Sequence, residues 1–175
     1  FGADVAVTAR DVARLEDVAA AVRAEGRQAV ELAMDVASVA SVRGTVERAV
    51  AALGGLDILI NNAGTEEVRP SLEVEEELWD RILDTNLKGA FFTAQASARA
   101  MQAGRRGGTI VNVCSLTSAV GVPTAVPYGS SKAGLLGMTR ALAAEWAPLG
   151  IRVNGIGPGY FRTELTEVFY RDEGW

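Results

Sequence analysis

The chain has 175 residues, 49% hydrophobic and 22% charged, enough apolar material for one globular domain over 1–175 with a sizeable core. Seventeen basic against twenty-two acidic side chains leave a net charge of −5, with no basic stripe to track a phosphate backbone, so nucleic acid is excluded as an expected partner. The single cysteine, Cys114, and the complete lack of histidine exclude an intrachain disulfide, Ser-His-Asp and Cys-His catalysis and any ordinary zinc site. No metal is expected, and proton transfer falls to tyrosine, lysine, carboxylates or water.

The chain opens at Phe1-Gly2-Ala3-Asp4 without a methionine and enters a strand almost at once, which raises the expectation that upstream sequence is missing. No apolar run is long enough to span a bilayer and no signal-type segment opens the chain, so a cytoplasmic protein without a membrane partner is the default.

Val5 to Thr8 reads as the first buried strand and ends at Ala9-Arg10; Val12 to Glu25 then carries helix-period apolar positions. Ala29 to Met34 is the second strand, closed by Asp35-Val36 and followed by a helix over Val39 to Leu53. Asp57 to Asn61 is the third, running into Asn62-Ala63-Gly64. A long helical pattern from Glu73 to Asn86 continues through Met101, and Gly104 to Gly108 forms a turn. Thr109 to Cys114 is the fourth strand, ending at Ser115; Tyr128 to Ala147 is helical; Ile151 to Ile156 is the fifth strand and leads into Pro158 to Thr163.

Strand and helix alternating in this way predict parallel strands with right-handed crossovers, hence a doubly wound, three-layer α/β sheet with helices on both faces. In such sheets ligands lie beyond the carboxyl ends of the strands. That places Arg10, Asp35, Asn61 to Gly64, Ser115 and Pro158 to Thr163 around one crevice.

Tyr128-Gly129-Ser130-Ser131-Lys132 sets a phenol and an ammonium four residues apart, on one helix face. A nearby cation favours the phenolate, making tyrosine a usable acid or base near neutrality. Alone, Y-x-x-x-K is a weak signal. Ser115 could point into the crevice or merely cap the next segment, N-N-A-G could be an ordinary turn, and an amide such as Asn86 within a helix usually faces solvent.

The set is specific. N-N-A-G, then Asn86, Ser115, Tyr128, Lys132 and Pro158-Gly159-Tyr160-Phe161-Arg162-Thr163, in that order and spacing, resemble the short-chain dehydrogenase/reductase family from the second strand onward. The resemblance implies a Rossmann-type sheet that here lacks the first strand, with its glycine-rich phosphate loop, and the last strand; strands two and four would then lie separated. It implies that Tyr128 is the general acid/base, that Lys132 lowers the tyrosine pKa and binds the nicotinamide ribose, and that Ser115 hydrogen-bonds the reacting oxygen. Asn86 would hold a water that connects Lys132 to bulk solvent.

By the same resemblance Asp35 and Val36 contact the adenine, Asn61, Ala63 and Gly64 form the wall beside the adenine-proximal ribose, and Pro158, Gly159, Phe161 and Thr163 close over the nicotinamide. Arg10, where a carboxylate would favour a free ribose 2′-hydroxyl, implies NADP, with NAD possible. The expected reaction is hydride transfer between nicotinamide and a carbonyl or secondary alcohol. Glu145-Trp146-Ala147 and the Ile156 to Glu164 segment resemble gluconate 5-dehydrogenase-like and other sugar or polyol dehydrogenases, which implies a sugar acid or polyol. A 3-oxoacyl-carrier-protein reductase and a non-catalytic dinucleotide-binding protein or inactive fragment are the alternatives. Assembly as a homodimer or homotetramer through the helices Asn86 to Met101 and Tyr128 to Ala147 is expected, as is usual in the family.

Overall fold

The computed structural model describes residues 2–162. Strands β1 (Val5–Ala9) and β2 (Ala29–Ala33) form a parallel pair, in register from Val5 opposite Ala29 to Ala9 opposite Ala33. Between them runs a 3-10 turn, Val12–Leu15, capped by Asp11, whose carboxylate accepts from the Ala13 amide at 3.0 Å, and helix α1 (Glu16–Ala24). A second parallel ladder contains β3 (Ile58–Asn61), β4 (Gly108–Val113) and β5 (Ile151–Ile156), with β4 in the centre. Among the described residues no ladder joins the two sheets. The strands are therefore parallel, as their β-branched runs and long connections predict, and lie in two sheets.

Helix α2 (Val39–Leu53) is capped by the Ser38 hydroxyl, which accepts from the Ser41 amide at 3.3 Å, and crosses from β2 towards β3. The expected helix through Met101 is two helices, α3 (Glu76–Leu83) and α4 (Gly89–Gly104), joined by a π-helical turn at Asp84–Lys88. Helix α5 (Val126–Trp146) starts two residues before Tyr128, with Pro127 in its first turn, where a missing N–H costs nothing. The turn before β4 needs glycine: Gly107 has φ 69°, and an added Cβ would lie 2.4 Å from the Gly150 carbonyl oxygen. Backbone touches backbone there, holding the amino ends of β4 and β5 together.

The main core lies where α4 and α5 cover the β3–β4–β5 ladder. Ala94, Ala98 and Met101 meet Ile110, Leu142, Trp146, Ile151 and Val153. Leu59 packs against this cluster, so the strand's two-residue alternation turns Ile58 and Ile60 the other way. They are 56% and 54% exposed. Among the described residues the Ile58 and Ile60 side of this ladder is open to solvent.

Candidate active site

Tyr128 and Lys132 occupy one face of α5, a turn apart, and the lysine is only 4% exposed. Its ammonium lies 5.6 Å from the centroid of the Tyr128 ring and donates to the Val113 carbonyl at 2.7 Å. That carbonyl ends β4, so the strand fixes the lysine against the helix. The next residues complete the link: Ser118 donates to the Lys132 carbonyl at 2.9 Å, and Ser115 hydrogen-bonds Tyr128 through its side chain. Ser115 also accepts from the Thr117 amide at 3.2 Å. The cap and the crevice group are the same hydroxyl.

Asn86 sits in the π-helical turn and is buried, not solvent-facing. The inserted residue of a π turn rotates side chains out of the α-helical pattern, and here it points the amide inward. Its oxygen accepts from the Thr65 amide at 2.8 Å, while its nitrogen donates to the Thr65 carbonyl at 2.9 Å and to the Ser131 hydroxyl at 3.0 Å. Asn86 thus ties the loop after β3 to α5, between Tyr128 and Lys132 in the chain.

Burial pushes the Tyr128 phenol above its ordinary value; the Ser115 hydrogen bond pulls it down, and the Glu66 carboxylate and Tyr160 push it up. The depression expected from Lys132 is not among the effects that set this shift; removal of the phenol from water is the largest. Burial lowers Lys132, opposed by Cys114 and Glu66. The Cys114 thiol is buried and raised.

These groups open onto a cavity of about 810 Å³. Gly64, Ser115, Tyr128, Lys132, Pro158, Gly159 and Phe161, all singled out from sequence, line it. Asn61 and Ala63 do not. The Asn61 amide instead donates to the Ala90 carbonyl at 3.1 Å and to Asn112 at 2.9 Å, a buried bridge between β3, β4 and α4. Arg10 is exposed at the carboxyl end of β1, and Asp35, also exposed, caps the turn after β2 by accepting from the Ala37 amide at 3.0 Å. Val36 packs its carbonyl against Gly89, where an added Cβ would come within 2.6 Å. Thr163 lies outside the described residues.

Among the other lining residues are Arg14, Asn62, Glu66 and Tyr160, of which Arg14 and Glu66 were not singled out from sequence. Asn62 and Tyr160 lie inside motifs already quoted, and Glu66 is only two residues past Gly64, at the carboxyl end of a strand where ligands gather. That position was the available signal. Burial raises Glu66 from 4.5 to about 7, with Lys132 opposing the rise.

The cleft fits the nicotinamide end of a dinucleotide: Gly64 brings backbone without a side chain to the cavity wall, and the buried Lys132 ammonium stands beside it, 3.7 Å from where a Cβ would lie. A parallel α/β scaffold with a tyrosine, lysine and serine converging at its strand ends defines a doubly wound oxidoreductase-type protein. The short chain dehydrogenase family matches residues 1–174. Gluconate 5-dehydrogenase of Gluconobacter oxydans (strain 621H) is 36% identical over 173 residues, covering 99% of this chain and 67% of its own. A structure from Sinorhizobium meliloti 1021, described as a candidate short-chain alcohol dehydrogenase, is 61% identical with a TM-score of 0.96, over 99% of this chain and 69% of that one. A gluconate 5-dehydrogenase from Burkholderia cenocepacia J2315 in complex with NADP and tartrate is 37% identical with a TM-score of 0.92, over 99% and 68%. The chain belongs to the short chain dehydrogenase family, and it spans about two thirds of the length of these relatives.

Proposed function

We propose that the protein interconverts a secondary alcohol and a ketone, with a sugar acid or polyol as substrate and NADP(H) as the nicotinamide partner, NAD being the weaker one. The observation that carries this reading is the Ser115–Tyr128 hydrogen bond beside buried Lys132, at the mouth of a glycine-walled cavity. A bound nicotinamide supplies the hydride acceptor or donor. Lys132, Asn62, Gly64, Pro158, Gly159, Phe161 and Thr163 are the residues to hold its reactive end, Asn61 and Ala63 support the wall, and Asp35, Val36 and Arg10 sit at the adenosine end. Arg10 pairs with a 2′-phosphate, which is the reason to place NADP first.

Tyr128 takes the hydroxyl proton of the alcohol, or returns it to the carbonyl oxygen, and Ser115 donates a hydrogen bond to that oxygen. Lys132 supplies positive charge beside the phenolate as it forms. Asn86 fixes the backbone between these groups and is the candidate to hold a water that links Lys132 to solvent. Assembly as a homodimer or homotetramer belongs to this reading.

The test is isotopic. The complete protein, given NADP⁺ and a polyol deuterated at its carbinol carbon, is expected to yield NADPH carrying one deuterium by mass spectrometry. Cofactor binding with no deuterium transferred to NADP⁺ or NAD⁺ from a panel of sugar acids and polyols would contradict the reading.

A further inference from the structure

Glu66 and Glu67 are adjacent in the loop after β3 but differ in their partners. Glu67 is held by two guanidinium groups, Arg69 and, at 2.5 Å, Arg81. Among the described residues Glu66 has no hydrogen bond and no ion pair, yet it lines the catalytic cavity with Ser115, Tyr128 and Lys132. The loop is pinned on either side of it: Thr65 by both faces of the Asn86 amide, and Arg69 by its amide donating to the Thr124 carbonyl at 2.8 Å. A half-buried carboxylate is thus fixed beside the proton-transfer groups with its acceptor capacity unspent. Such a group costs stability unless a ligand uses it.

The charges around it decide what that ligand is. The Lys132 ammonium is directed to the Val113 carbonyl and faces the Tyr128 ring. Arg14 lines the cavity from the turn after β1, on the other ladder from Glu66, the side where Arg10 also sits. Tyr128 and Cys114 also line the cavity, and burial raises both, which keeps them uncharged near neutrality. Among the described residues Glu66 is the one carboxylate of this lining, set among Lys132 and Arg14, and it repels an anionic group brought to its own side of the cavity.

We propose that Glu66 is a specificity-determining residue, accepting hydrogen bonds from substrate hydroxyls next to the reacting carbon and selecting neutral polyhydroxy alcohols over sugar acids. This rests on the hydride-transfer reading for the reacting end alone. Like charges brought together in a binding site cost several kcal/mol, and acceptor capacity matched to hydroxyls is gained by the neutral substrate only.

The probes are D-glucitol and D-gluconate, a neutral and an anionic chain of equal length, assayed at pH 8 with the complete protein and NADP⁺. The wild type is expected to favour D-glucitol in kcat/KM by at least about tenfold, and Glu66→Gln, which keeps the shape and removes the charge, to shrink that ratio about tenfold, chiefly through KM for D-gluconate. A purely structural role would move both substrates together. Calorimetric titration of the same pair into NADP-loaded protein separates the two claims: preferential D-glucitol binding lost in Glu66→Gln, without turnover, sinks hydride transfer and supports the Glu66 assignment. A wild-type preference for D-gluconate, an unchanged ratio in the variant, or no binding of either compound overturns it.

Discussion

Glu66 and Glu67 carry the same carboxylate one residue apart, and their surroundings drive them in opposite directions. Hydrogen bonds from Arg81 and Arg69 hold Glu67 below its ordinary value, whereas burial lifts Glu66 from 4.5 to about 7. The sign of the consequence follows from linkage. Below pH 4.5 Glu66 is neutral in folded and unfolded chains alike; between 4.5 and 7 the unfolded chain gives up its proton first, so folded stability falls as pH rises and the loss is complete above 7. Glu66→Gln removes the effect. At pH 8 the variant should be more stable than the wild type by about 1–2 kcal/mol, once solvent screening of this half-buried group is allowed for, and the gain should vanish near pH 4.5. Thermal melts at both pH values check this; equal or lower melting of the variant at pH 8 would show that Glu66 is already well solvated. No periodicity in the sequence marks such a residue, because its isolation depends on which arginines its neighbour has taken. Tyr128 and Lys132, by contrast, were legible because their four-residue spacing stands in one ordered set with N-N-A-G, Asn86 and Ser115.

At the scale of elements, α5 and β4 were legible because their apolar positions keep a helix or strand period, with Tyr128 and Lys132 on α5 and Ser115 just past the end of β4. The long helix before them was legible only as a helical stretch. Its break into α3 and α4 depends on one extra residue in a turn, which leaves the apolar pattern nearly unchanged while turning Asn86 inward. The same limit hid the role of Asn61. Its amide, Asn112 and Thr139 form a buried polar chain, Asn61 to Asn112 at 2.9 Å and Asn112 to Thr139 at 2.9 Å, that crosses from β3 through β4 to α5. Asn112 is fully buried within an otherwise apolar strand. Asn112→Ala deprives Asn61 of one acceptor and leaves a small void, and should lower stability by about 2–4 kcal/mol. Urea titration of the complete protein is the check: the midpoint should fall with little change in slope, and a shift worth under about 0.5 kcal/mol would mean the chain of amides is not coupled to folding.

At the scale of the whole molecule, composition and alternation of elements were sufficient for the parallel α/β class. The exposure of Ile58 and Ile60 was not readable, because a buried parallel strand is apolar on both faces whichever face a helix covers. The small residues of α5 illustrate a related ambiguity. Gly134 lies against Leu87, where an added Cβ would come within 2.8 Å, while Gly137 has open space around it. The first serves packing within the chain, and the second is free to serve contact between chains, so a stripe of small residues does not by itself assign an interface.

The central claim is that Tyr128 moves the proton while its ring only fills space. Phenylalanine at that position keeps the packing against Lys132 and removes the hydroxyl that Ser115 bonds, and the chain has no histidine to take over. General acid-base catalysis contributes about 10²–10⁴-fold in rate. The decisive measurement is kcat for the Tyr128→Phe variant of the complete protein, at saturating NADP⁺ and alcohol, alongside its NADP⁺ affinity. A loss of at least about 10²-fold in kcat, with NADP⁺ affinity within a few-fold of wild type, is the result this account predicts. Near-normal turnover with chemistry still rate-limiting, shown by a retained primary deuterium isotope effect, would contradict it.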